Sequence, residues 1–191
     1  MAVLPILTAE SPILRHKSRP VKAFDGDLQS LVEDMLETLW QANGLGLAAP
    51  QVGVLKRLIV IEMPTEGSGE DDKAEPRPRR RLVLVNPEIT SREGEELDEE
   101  GCLSIPGYAG QVKRATAVTV RAQTIKGKRT RLTADGLLAR ALQHEIDHLD
   151  GVLYIDRVEK AEDIRKLAPE ERWDRPPDDE AAEPTGRMPV G

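Results

Sequence analysis

The sequence predicts an α+β fold in which antiparallel strands pack around a C-terminal helix carrying a His-Glu-x-x-His run. Three observations lead there. Short apolar segments of strand length occupy the middle of the chain, an amphipathic helix precedes them, and a second helix follows whose apolar residues occupy more than one face. A helix of that last kind is surrounded by sheet, because a surface helix shows a single apolar stripe.

From Asp27 to Ala42, the residues Leu28, Leu31, Val32, Met35, Leu36, Leu39 and Trp40 recur at i, i+3, i+4 and i+7, the rhythm of a helix packed outside the sheet. Asn43 and Gly44 end it. Gly44 to Gly53 has too much glycine, and Pro50, to continue that helix, yet is too apolar for a solvated loop; a buried, extended segment is expected. Arg57 to Met63 and Arg81 to Asn86 read as strands. Between them, residues 64–80 mix glycines, acids, prolines and arginines that bury too little surface to order themselves, so a mobile surface excursion is expected. Lys113 to Thr124 alternates as a strand, and Ile125 to Lys128 turns it into a partner over Arg129 to Thr133. Asp135 is expected to cap the last long helix, which runs to about Asp150 and stops at Gly151. Val158 to Leu167 has the amphipathicity of a short helix. Residues 169–191 are dominated by Pro, Asp and Glu and are expected to be disordered, which leaves residues 1–168 as one domain.

A net charge of -7 over 191 residues gives no general attraction to phosphate backbones and argues against DNA as a direct partner. No stretch approaches the ~20 apolar residues of a membrane helix, and the first residues lack a positive leader, an apolar core and a cleavage site. A cytoplasmic protein without membrane contact is expected. Aromatic residues make up only 3% of the chain, so Leu, Val, Ile and Ala must build the core. The single cysteine, Cys102, cannot build an intrachain disulfide; it is a buried bystander, a nucleophile or a metal ligand.

The strongest chemical signal is His144-Glu145-Ile146-Asp147-His148. Residues four apart on a helix are separated by a rise of ~6 Å and point the same way, so two imidazoles can share one metal ion. Glu145 can then reach a water at that ion without binding the ion itself, a general base beside a Lewis acid. Two histidines in a buried helix can also merely find hydrogen-bond partners, but the glutamate between them favours a metal. A catalytic ion needs a third protein ligand and an open corner. Glu159 and Glu162 are available downstream; upstream, Cys102 beside Gly101 offers a thiolate with a strong affinity for first-row ions and is favoured. Gly44-x-Gly46-x-x-Ala49 formally matches a dinucleotide fingerprint, yet it follows a helix and meets Pro50 where the next helix should open. A packed wall for a substrate backbone suits it better, with Gln51 offering an amide N–H to a developing oxyanion. These residues alone leave open a metallopeptidase and an inert protein with a structural metal.

Three segments in this order, GLGLAAPQ (Gly44 to Gln51), EGCLS (Glu100 to Ser104) and QHEIDH (Gln143 to His148), resemble the signature motifs of the peptide deformylases, and the resemblance extends from about Ala2 to Asp156. It implies a metal-dependent hydrolase that removes the formyl group from the N-formylmethionine of new polypeptides and releases formate. It implies Cys102, His144 and His148 as metal ligands, Glu145 as the catalytic acid, and Gln51 with the backbone N–H of Leu103 as the groups that steady the oxyanion. Leu45, Gly46 and Gly101 would line the peptide backbone, and Leu137 and Ala141 the methionine side chain. The implied cofactor is one divalent metal ion, Fe(II), with zinc, nickel or cobalt as substitutes. The implied partners are N-formylmethionyl nascent chains, met by a monomer. Because residues 169–191 hold more acids than bases, any transient ribosome contact would have to come from Val158 to Leu167.

Overall fold

The computed structural model describes residues 2–64, 79–168 and 171. Helix α1 (Gly26–Gln41) leads into β1 (Gly46–Ala48), a 3-10 turn (Ala49–Val52) and β2 (Leu58–Pro64). Then come β3 (Arg79–Glu93), β4 (Glu96–Cys102), β5 (Ile105–Arg114), β6 (Ala117–Gln123), β7 (Arg129–Asp135), helix α2 (Gly136–Leu149) and β8 (Ile164–Lys166). The strands form a five-stranded sheet ordered β1-β2-β3-β6-β7 and a three-stranded sheet ordered β4-β5-β8. Every pairing within them is antiparallel.

The larger sheet separates the two helices. Successive strand residues face opposite sides, so Leu58 and Val60 of β2 join Leu28, Val32, Met35 and Leu39 of α1 in one apolar cluster. Ile59 and Ile61 join Ala139, Leu142, Ile146 and Leu149 of α2 in another. Helix α1 therefore lies outside, as expected. Side chains of α2 also reach the smaller sheet, where Arg140 donates to the Val112 carbonyl at 3.0 Å. At the C-terminus of α2, Gly151 has φ +77°, and a Cβ there would lie 2.6 Å from the Arg15 carbonyl oxygen, so the turn admits only glycine.

Several expectations change. Asp135 occupies the N-cap position of α2, but its side chain makes no capping hydrogen bond, and the helix opens on Gly136 at φ +51°. The segment from Gly44 to Gly53 is extended only over β1, because Pro50 sits at the start of a 3-10 turn that ends on Gly53 at φ +82°. Val158 to Leu167 is not a helix: it holds a single 3-10 turn, Ala161–Asp163, and then β8, which pairs with Tyr108 to Gly110. Strand β6 begins at Ala117, while Lys113 and Arg114 finish β5. Strands β2 and β3 extend into both ends of the expected excursion; its residues 65–78, and the tail apart from Glu171, lie outside the described residues. Among the described residues no helix is long and apolar enough to cross a membrane.

Candidate metal centre

β1 and β4 are edge strands of their respective sheets. A cleft of about 300 Å³ lies beside them, with Leu45, Gly46, Gly101 and Cys102 on its walls and Leu137, Ala141, His144 and Glu145 contributed by α2. Cys102 ends β4 at a register shift, paired with Ile105 across the turn Leu103-Ser104. Such irregularities re-aim side chains, and the sulfur here lies 3.3 Å from His148 Nε2. One donor atom each from Cys102, His144 and His148 fall within 4.8 Å of one another. With metal–donor bonds of about 2.0–2.3 Å, that spacing lets all three share one ion.

A chain of charged groups supports the histidines. His144 Nδ1 faces Glu100 Oε2 at 2.9 Å, which fixes the ring and leaves Nε2 for an ion. Glu100 accepts from Arg114 at 2.9 and 3.0 Å and from Arg140 at 2.9 Å. Arg114 continues to Asp147, which also accepts from Arg157 at 2.6 Å. The Tyr154 ring stacks on His144 with centroids 6.3 Å apart.

Burial opposes a charge on Glu100, yet the hydrogen bonds from His144 and Arg114 outweigh it and hold the carboxyl down to about 2. Burial likewise disfavours a charged His144, but Cys102 and Glu100 outweigh it and raise its proton affinity well above that of an ordinary imidazole. His148, which burial and the neighbouring His144 hold well below the ordinary value, stays neutral, the form in which an imidazole could bind an ion. The sulfur and two imidazoles suit a first-row divalent ion.

Burial pushes the Glu145 carboxyl up to about 7, a value at which a carboxyl could both accept and return a proton near neutrality. Its Oε2 is buried without a hydrogen-bond partner among the described residues. An ideal Cβ on Gly46 would lie 2.4 Å from Glu145 Oε1, so the absence of a side chain at 46 makes room for this carboxylate. Gln51 is buried; its Oε1 accepts from the Ala48 N–H at 2.8 Å, and its Nε2 donates to Ser104 Oγ at 3.1 Å and toward Cys102 Sγ at 3.6 Å. The Ser104 N–H approaches the same sulfur at 3.4 Å. Both contacts aim an N–H at the sulfur.

All the site residues implied by the resemblance line this cleft except His148, which is buried against Cys102. Glu159, a downstream alternative ligand, pairs with Lys113 instead. Sequence reasoning missed Arg114, Arg140 and Tyr154, and named Glu100, Ser104 and Asp147 only as parts of motifs. A ligating histidine needs a carboxylate or carbonyl behind it, so some such partner was foreseeable; its identity depends on β4 meeting α2.

The Polypeptide deformylase family model matches residues 3–163 of this chain. The chain belongs to the peptide deformylase family. A peptide deformylase from Thermodesulfovibrio yellowstonii is 49% identical over 160 residues, covering 83% of this chain and 90% of the relative. The crystal structure of a peptide deformylase from Legionella pneumophila superposes with TM-score 0.72 at 45% identity, covering 83% of this chain and 87% of that one. A class I type b peptide deformylase from Acinetobacter baumannii, in a crystal structure with Met-Ala-Ser bound, gives TM-score 0.73 at 37% identity over 82% of this chain and 99% of its own. Peptide deformylases are metal-dependent hydrolases that remove the formyl group from the N-formylmethionine of nascent polypeptides and release formate. Neither the metallopeptidase nor the inert binding protein survives this finding.

Proposed function

We propose that Cys102, His144 and His148 hold one Fe(II) ion, replaceable by zinc, nickel or cobalt, and that Glu145 handles the protons of deformylation. The observation that carries this reading is the convergence of one sulfur and two imidazoles within 4.8 Å, beside a carboxyl poised at about 7. When bound, such an ion supplies Lewis acidity and lowers the pKa of water from 15.7 toward about 7. Glu145 takes a proton from the attacking water and returns it to the departing amine. The Gln51 amide and the Leu103 N–H steady the formyl oxygen as negative charge grows on it.

The substrate backbone lies extended between the free edges of β1 and β4, against Leu45, Gly46 and Gly101, and adds to them as a strand. Its methionine side chain covers Leu137 and Ala141. Leu137 is 52% exposed and Leu45 42%, apolar surface that such a side chain would remove from water. The reading extends to a cytoplasmic monomer with a catalytic domain over residues 1–168. A transient ribosome contact would use Val158 to Leu167, where Lys160, Arg165 and Lys166 are exposed.

Met-Ala-Ser, the tripeptide named for the Acinetobacter baumannii structure, is what deformylation of formyl-Met-Ala-Ser leaves. Formate release from that substrate, with protein loaded anaerobically with Fe(II), Ni(II) or Co(II), is the test. Glu145→Gln is expected to lower kcat by about 10²–10⁴-fold while retaining the metal, and Cys102→Ser to lose the metal. An intact substrate with every ion, or a Glu145→Gln variant as fast as the parent, would falsify the assignment of roles.

A further inference from the structure

β4 carries two consecutive glutamates immediately before Gly101, Glu99 and Glu100, and alternation along the strand gives them different surroundings. Glu100 meets His144. Glu99 lines the cleft, with 33% of its side chain exposed. Its carboxylate is gripped by the Arg165 guanidinium, with Nε on one oxygen at 2.7 Å and Nη2 on the other at 2.8 Å. Nη1 of the same arginine donates to both oxygens of Glu171, at 3.1 and 2.9 Å, and Glu171 Oε2 also accepts from the Ala168 N–H.

The sheet register explains this reach. Arg165 of β8 stands opposite Ala109 of β5, which stands opposite Gly101 of β4. Directly opposed residues share a face, and Glu99, two residues before Gly101, shares it too. Ala109 offers only a methyl group there, so the long Arg165 side chain can pass over β5 to a carboxylate on β4.

β4 also leads away from the reacting centre. At about 3.4 Å per extended residue, Glu99 lies about 10 Å along the strand from Cys102, the span of roughly three substrate residues. On the reading under Proposed function, the formyl carbon sits beside Cys102 and the third substrate residue comes level with Glu99. An unpaired carboxylate at that point would attract lysine and arginine and repel aspartate and glutamate. An enzyme that acts on nascent chains of every sequence is better served without such a bias.

We infer that Arg165 is a specificity-determining residue, which holds the Glu99 carboxylate in an ion pair at the cleft, weakens its pull on substrate charge and keeps deformylation close to indifferent to the charge of the third substrate residue. The experiment compares kcat/KM for formyl-Met-Ala-Lys and formyl-Met-Ala-Glu, each normalised to formyl-Met-Ala-Ser on the same protein. The parent is expected to show a Lys/Glu ratio within about twofold of one. Arg165→Ala should raise that ratio about three- to fivefold, through KM, in line with the modest strength of exposed charge contacts. Glu99→Gln should move it below the parent's value, by less than Arg165→Ala raises it because Glu171 still pairs with the guanidinium, the double variant should bring it back toward the parent's, and salt near 1 M should erase both biases because screening then acts within about 3 Å. A purely structural role would lower all three substrates together and leave the ratio fixed. Equal ratios in the parent, Arg165→Ala and Glu99→Gln overturn the inference, as does a parent ratio far from one. Failure of the parent to hydrolyse formyl-Met-Ala-Ser would instead overturn the reading on which it rests.

Discussion

Helix α2 presents two unlike sides. Toward the five-stranded sheet, Ala139, Leu142, Ile146 and Leu149 join an apolar cluster. Toward the three-stranded sheet, Arg140, His144, Asp147 and His148 meet Glu100, Arg114 and Cys102 in a buried run of charged and polar contacts. The two sides fail differently. Apolar packing weakens with the volume removed, and neighbours partly close the gap. A buried ionic run has no such tolerance, since removing one charge leaves its partner unpaired out of water. Stability is therefore spread over many contacts on one side, whereas on the other the orientation of His144 depends on a few groups.

Replacing Arg114 tests that contrast most severely. Arg114→Ala leaves both Glu100 and Asp147 short of a counter-charge, and urea unfolding should show a loss of about 3–5 kcal/mol. Leu142→Ala, on the apolar side, should cost about 2–5 kcal/mol while the folded protein keeps its affinity for the metal. If affinity fell along with stability, the two sides would not be separable. Gly46→Ala sharpens the comparison from outside the helix, because its methyl group must displace the Glu145 carboxylate. A misplacement near 1 Å costs roughly 10²-fold in rate, so kcat should fall by that order with little change in the unfolding midpoint. Glu100→Gln preserves shape and removes charge; chelator competition should show binding of the ion weakened about 10–100-fold. Undiminished affinity would mean that Glu100 serves packing alone.

The same division governed what could be read from the sequence. Strands β2 and β6 and both helices are rich in Leu, Val, Ile and Ala at the right spacing, so their patterns announce them. β4 reads ELDEEGC, with its first three residues exposed, and carries no alternation of apolar residues. β5 contains Pro106, Gly107 and Gly110, which ordinarily mark turns. β8 is three residues long and takes its conformation from pairing with β5. Cys102, His144, Glu145 and His148 were legible because each lies in a short local pattern. The links from Glu100 to His144 and from Arg165 to Glu99 join positions 44 and 66 residues apart, and no local pattern encodes them.

The sulfur and the imidazoles reach their meeting point from different elements, β4 and α2, 46 residues apart for Cys102 and His148. An ion there would act as a staple, fastening the tip of the β4–β5 hairpin to a helix already anchored by its apolar side. Chelation should then release the hairpin first and leave the larger sheet folded, so loss of activity would precede loss of structure and refilling the site could reverse it.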